Sequence, residues 1–224
     1  MLPLKDLNPT RSTPVVTAGL VIANVAVWVL YELPNGLDRS ILTLGFRPCE
    51  VNDTCSRIGD GWLVTAFTSM FTHAGWLHLL GNMLFLWIFG NNVEDALGHV
   101  RFLFFYVAGG LAATALQTFV TLGLGTPEAA TVPNVGASGA IAAVLGAYVV
   151  LYPRAVVLTW IAPFFLLPLP ALLYLVFWFV FQLLVGTSSL TSPGTGGGVA
   201  YFAHIGGFAF GALTIRPLRV GRAR

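Results

Sequence analysis

Asn134-Val135-Gly136-Ala137-Ser138-Gly139-Ala140-Ile141-Ala142-Ala143-Val144-Leu145-Gly146 lies in a stretch, residues 129–153, that carries no Asp, Glu, Lys or Arg. A membrane-spanning helix needs roughly 20 apolar residues, so this stretch is long enough to cross a bilayer. Four further intervals lack charge in the same way: 12–31, 61–93, 102–127 and 155–215. The last is too long for one helix, and the turn formers of residues 186–198 (GTSSLTSPGTGGG) divide it. The pattern therefore predicts six spans, near 14–33, 75–93, 101–123, 136–151, 168–186 and 199–215. Residues 155–167 hold Pro163 and precede Pro168 and Pro170, so they read as an interfacial segment rather than a seventh span. The expected fold class is an all-α polytopic membrane protein.

Composition agrees with that expectation. Of 224 residues, 56% are hydrophobic and only 9% are charged, too few to cover a water-soluble globule. A net charge of +2 gives no nucleic-acid surface. Lys5, Arg11, Arg101, Arg154, Arg216, Arg219, Arg222 and Arg224 fall on one side of the six-span arrangement, against Arg39, Arg47 and Arg57 on the other. The positive-inside rule then puts both termini in the cytoplasm and makes the basic tail a topology anchor at lipid head groups. The first apolar stretch lacks a convincing cleavage site and is expected to be retained. The domain reading is a short cytoplasmic N-terminus (1–13), one six-helix domain (14–216) and a basic cytoplasmic tail (217–224). Cys49 and Cys55 lie in the outer loop, residues 34–60, where either a small disulfide or two free thiols fit.

Ionisable and hydrogen-bonding groups at membrane depth are costly, and by default mark a functional site. Spans two, four and six all enter from outside, with His78, Ser138 and His204 early in each and Asn82 one turn below His78. Four polar side chains thus share the outer layer of three helices. A hydroxyl beside an imidazole is the pairing of a nucleophile with its general base. His78 and Asn82, at i and i+4, can donate hydrogen bonds to a developing oxyanion. Plainer readings exist: Ser138 bonding its own helix carbonyl, and an interhelical polar clasp for His78 and Asn82. Ser138, Ala142 and Gly146 recur at four-residue spacing, and His204 is followed by the Gly207 and Gly211 pair, so two small-residue faces are available for close packing. Metal binding by His73, His78 and His204 is disfavoured, because no H-x-x-x-H pair or nearby carboxylate accompanies them.

These residues resemble the rhomboid family of intramembrane serine proteases, bacterial-type, in a minimal six-span form. The likeness rests on Gly136-Ala137-Ser138-Gly139, on His204 with Gly207 and Gly211, and on His78-x-x-x-Asn82. Phe71-Thr72-His73-Ala74-Gly75-Trp76-Leu77-His78, Glu94-x-x-x-Gly98, Arg101-Phe102 and Tyr152-Pro153-Arg154 extend it over about residues 60–215. The resemblance implies a six-helix bundle with a partly membrane-embedded outer loop. It makes Ser138 the nucleophile and His204 the base of a dyad without Asp, and assigns the oxyanion to His78, Asn82 and the Ser138 N–H. Gly136, Gly139, Gly207 and Gly211 become packing supports, and Glu94 a structural tie. Neither cofactor nor metal is implied. The partners would be the bilayer and single-span membrane proteins with small or helix-weakening residues near the outer face. The location would be the plasma membrane of a bacterium.

Two departures stand out. Many members carry Trp-Arg where this chain has Val64-Thr65, so the outer loop must be fastened differently. Where some members stack a ring on the catalytic histidine, this chain has Ala142, so His204 must be oriented by other packing. The rival readings are an inactive rhomboid-like protein that binds and escorts helices, and a channel or transporter. The presence of both Ser138 and His204 speaks against the first. The near absence of polar residues from the inner halves of the spans speaks against the second.

Overall fold

The computed structural model describes residues 1–161, 163, 165–191 and 200–218, and is mostly helical. Six helices overlap the segments read as spans: α1 (Val15–Val27), α2 (Trp76–Leu97), α3 (His99–Leu124), α4 (Ser138–Leu151), α5 (Ala171–Thr191) and α6 (Tyr201–Leu218). α1 runs on through a π turn, Trp28–Glu32, to Asn35. Among the described residues, Val15–Asn35, His99–Leu124 and Ala171–Ser188 are each long and apolar enough to cross a membrane. Large apolar side chains point outward along the helices, including Leu30, Phe104, Phe119 and Leu213. That surface is covered by lipid, and the chain is an integral membrane protein.

α4 is the axis of the bundle. Every residue from Gly139 to Tyr148 is buried, as expected for a helix hydrophobic all round. The helix begins at Ser138, two residues after Gly136, whose φ of 119° puts it in the left-handed region that favours glycine. It stops at Tyr152-Pro153, because proline cannot continue a helix. α6 lies against α4 backbone to backbone. A Cβ on Gly207 would run into the Gly139 carbonyl, one on Gly211 into the Ala143 carbonyl, and one on Gly146 into the Phe208 carbonyl. Gly139 itself faces Ala113 of α3, so the small-residue contact has three sides.

At the opposite end of α2 from His78, polar groups are tied into networks. Glu94 accepts from the N–H of Val16 (2.9 Å) and Thr17 (2.7 Å), from the Thr17 hydroxyl (2.6 Å), and lies 2.6 Å from His99 Nδ1. One carboxylate therefore caps the start of α1 and pins the α2–α3 corner, where Gly98 turns with φ 75°. This is the tie expected of Glu94.

The all-α expectation needs one correction. β2 (Val156–Ile161) pairs antiparallel with β3 (Phe165–Pro170), and β1 (Leu2–Asp6) adds an antiparallel third strand on the other side of β2, with Asp6 opposite Val157. The run Val156-Val157-Leu158-Thr159-Trp160-Ile161 is rich in strand formers, and Pro168 and Pro170 are tolerated on an edge strand. β1 also anchors the N-terminus in the fold: Asp6 Oδ2 accepts from Asn92 Nδ2 (2.6 Å) and the Tyr148 hydroxyl (2.7 Å). The Gly-rich divider from residue 192 to 198 and the tail from 219 lie outside the described residues.

The outer loop is stapled. Cys49 and Cys55 form a disulfide, and the buried Arg47 and Glu50 pair across it, with Arg47 Nη2 also donating to the Ser56 carbonyl (2.7 Å). In place of the Trp-Arg fastening, Phe46 and Asn134 exchange both backbone hydrogen bonds (3.0 and 2.7 Å), and the Thr68 hydroxyl donates to the Leu44 carbonyl (2.8 Å). The loop is thus bridged to the segment that leads directly into Ser138.

Candidate active site

Ser138 occupies the first helical position of α4, where backbone N–H groups have no intrahelical partner and the helix dipole is positive. His204 stands one turn into α6. The glycine-lined approach of the two helices brings Ser138 Oγ to 2.8 Å from His204 Nε2. On the other side of the imidazole, Nδ1 lies 2.8 Å from Oε1 of Gln182 on α5. Trp178, one turn before Gln182, places its ring 5.7 Å from the imidazole, and Tyr201 lies at 6.4 Å. These contacts supply the packing that Ala142 cannot.

His78 and Asn82 of α2 line one cavity of about 530 Å³ together with Ser138, His204 and Trp178. His78 Nδ1 accepts the Ala74 N–H at 3.3 Å, which leaves the proton on Nε2. A Cβ at Gly136 would stand 2.7 Å from that Nε2, so glycine here keeps the His78 donor clear of the Ser138 loop. Gly136 therefore serves the loop beside His78 rather than a helix face. Asn82 Nδ2 is buried and has no hydrogen-bond partner among the described residues. Orphaned buried donors are rare because each costs about 1–3 kcal/mol, and a polar clasp would have satisfied this one. A smaller hollow of about 30 Å³ behind Ser138, lined by Ser69, Gln117 and Asn134, has room for water.

His73 is not brought to the dyad. It is fully buried, its ring packs edge-on to His78 at 5.2 Å, and its backbone N–H donates to the Glu32 carboxylate at 2.9 Å. That bond fixes the turn from which α2 starts. Among the described residues, no three His, Cys, Asp or Glu side chains assemble as metal ligands. Sequence reasoning overlooked Gln182, Trp178 and Gln117, whose Oε1 accepts the Ala203 N–H at 3.1 Å beside His204. The signal for Gln182 was present, a lone amide in the apolar run from Ala171 to Gly186.

The arrangement lets His204 Nε2 take up the Ser138 hydroxyl proton, and it offers donors to an oxygen that develops charge beside it. Known proteins resemble the chain over most of its length. The chain is 29% identical over 219 residues to the RHOMBOID-like protein 12, mitochondrial, of Arabidopsis thaliana, covering 93% of this chain and 60% of that one. It is 30% identical over 194 residues to the Rhomboid protein 1, mitochondrial, of Saccharomyces cerevisiae, covering 85% and 49%. A rhomboid relative from Bacillus subtilis is 33% identical over 141 residues, 62% of either chain. The chain thus spans about half of the two mitochondrial relatives. Residues 60–220 match the model of the Rhomboid domain, and by that match, which takes in α2 to α6 and all four candidate side chains, the chain belongs to the rhomboid family.

Proposed function

We propose that the chain is an intramembrane serine endopeptidase of six spans, acting on single-span membrane proteins at transmembrane or juxtamembrane bonds. The observation that carries this reading is the 2.8 Å approach of Ser138 Oγ to His204 Nε2, on the wall of the cavity that the unpartnered Asn82 amide also faces. Neutral His204 accepts the Ser138 proton as Oγ attacks the peptide carbonyl, then returns that proton to the leaving amine. His78 Nε2–H, Asn82 Nδ2–H and the Ser138 N–H receive the oxyanion. Water from the hollow behind Ser138 hydrolyses the acyl-enzyme.

Depth follows from length. The 14 residues of α4 rise about 21 Å against a hydrocarbon core of about 30 Å, so with its inner end near the cytoplasmic face, Ser138 lies below the outer face. A substrate helix must unwind there to offer its carbonyl, which favours small or helix-weakening residues. The outer loop then sits partly in the outer leaflet, both termini are cytoplasmic, and neither cofactor nor metal takes part. The bacterial plasma membrane is the proposed location, in line with the Bacillus relative. The test is reconstitution of the purified chain in liposomes with labelled single-span proteins. Cleavage that is lost in Ser138→Ala and in His204→Ala is expected. Binding of the helices without cleavage would overturn the protease reading in favour of an inactive, helix-binding rhomboid.

A further inference from the structure

We infer that Gln182 is a positioning residue for His204, its side-chain oxygen accepting the Nδ1 proton so that Nε2 is left bare to take the proton of Ser138. The inference rests on the protease reading for its consequence in rate, but not for the tautomer itself. A neutral imidazole has one N–H, and the nitrogen that carries it is set by the partner of the other. Here Nε2 and Nδ1 each have one partner at 2.8 Å, the Ser138 hydroxyl and Gln182 Oε1. The hydroxyl can turn either way. The amide oxygen can only accept, and this fixes the ring with hydrogen on Nδ1.

The surroundings fit such a role. Gln182 is buried on a helix whose outward face is apolar, Val180, Phe181 and Leu184 among it, so an unsatisfied amide would be costly there. Trp178 is one turn away on the same helix, so a single face of α5 presents a ring beside the imidazole and an acceptor to its Nδ1. An amide also suits the location. A carboxylate at membrane depth would carry its own desolvation cost, whereas a dipole orients the ring without a net charge.

The chemistry balances with Gln182 unchanged. The Oγ–H bond of Ser138 breaks and its proton bonds to Nε2. Oγ bonds to the carbonyl carbon, and the carbonyl pair moves to oxygen. The imidazolium then has both nitrogens protonated, and the negative end of the Gln182 amide dipole faces Nδ1–H. When the C–N bond breaks, the Nε2 proton leaves with the amine, and the starting tautomer is restored.

The test is nitrogen NMR of the full chain labelled with ¹⁵N-histidine in nanodiscs, with the His204 signals assigned by their loss in His204→Ala. Wild type should show Nδ1 protonated and Nε2 bare. Gln182→Leu should lose that preference and lower kcat by roughly 10- to 100-fold, with KM little changed. Gln182→Glu, which keeps the acceptor and adds charge, should restore the Nδ1–H tautomer, recover most of the rate and move the acid limb of the pH–rate profile to higher pH. A wild-type His204 protonated on Nε2, or a Gln182→Leu chain with unchanged tautomer and kcat, would overturn the inference. So would a Gln182→Glu chain no faster than Gln182→Leu. Because the tautomer is read without substrate, an Nδ1-protonated wild-type ring that Gln182→Leu disturbs, in a chain that cleaves nothing, would support the assignment to Gln182 and remove the protease reading alone.

Discussion

The two ends of α2 treat buried polar groups in opposite ways. At the Glu94 end every oxygen of the carboxylate is used, and Asn92 Nδ2 and the Tyr148 hydroxyl both converge on Asp6. At the His78 end, Asn82 Nδ2 has no partner and faces a cavity, next to a hydroxyl and an imidazole in contact. Both ends bury polar atoms, so burial alone does not mark function. Between these two ends the difference is satisfaction: the Glu94 carboxylate has its hydrogen bonds made and the Asn82 amide has not. Partnerless buried atoms such as Trp28 Nε1 and Tyr106 Oη also occur away from the dyad, so it is the cavity and the adjoining hydroxyl and imidazole that single out Asn82.

The most sensitive point of the molecule is the glycine seam between α4 and α6. Gly207→Val should abolish proteolysis, since its Cβ meets the Gly139 carbonyl and about 1 Å of misplacement between reacting groups costs roughly 100-fold. Gly207→Ala places the same first atom and should also be severely impaired, with Val the worse. Gly123→Ala, where a Cβ meets nothing within 4 Å, should leave turnover unchanged. Turnover of a model substrate checks all three, and near-normal Gly207→Val activity would mean that α4 and α6 need not meet this closely.

Next in size is Asn82→Ala. Loss of an oxyanion donor should lower kcat by on the order of 100-fold, while the thermal midpoint in detergent moves little, because no existing hydrogen bond is lost. Glu94→Ala should do the reverse. It orphans the Val16 and Thr17 N–H groups at about 1–3 kcal/mol each, so the midpoint should fall sharply while kcat per folded molecule is nearly kept. If both variants lost stability and rate in proportion, the distinction between the two ends would fail.

The six helices and the four polar residues were legible in the sequence because each is announced locally, by a charge-free run or by a polar atom that does not belong in one. The glycine seam was legible for the same reason, as a fixed spacing along single helices. The sheet was not, because β1 finds β2 some 150 residues away, and neither short strand has a periodicity that demands the other. The loop fastening was hidden too. Phe46 and Asn134 pair through backbone atoms, which any residue supplies. Gln182 was visible under the same rule that singled out His204 but was passed over, because an amide is not itself a nucleophile or base.

The smallest expected effect concerns that sheet. Burial raises the Asp6 carboxyl above the ordinary carboxylate value, against the lowering by the Tyr148 hydroxyl and Lys5. A raised folded pKa means that the contribution of Asp6 is fully present below about pH 3.9 and is lost as pH rises through the folded value. Hydrogen-exchange protection of Leu2–Asp6 should therefore weaken upward from about pH 4, and Asp6→Asn should flatten that dependence. An unchanged profile in Asp6→Asn would reject this source of it.

If contact with His204 activates Ser138, covalent labelling of the membrane-embedded chain with a fluorophosphonate, mapped by mass spectrometry, should reveal it. Wild type should carry an adduct on Ser138 and His204→Ala none there, with both chains folded. No adduct on Ser138, or one undiminished in His204→Ala, would contradict that activation.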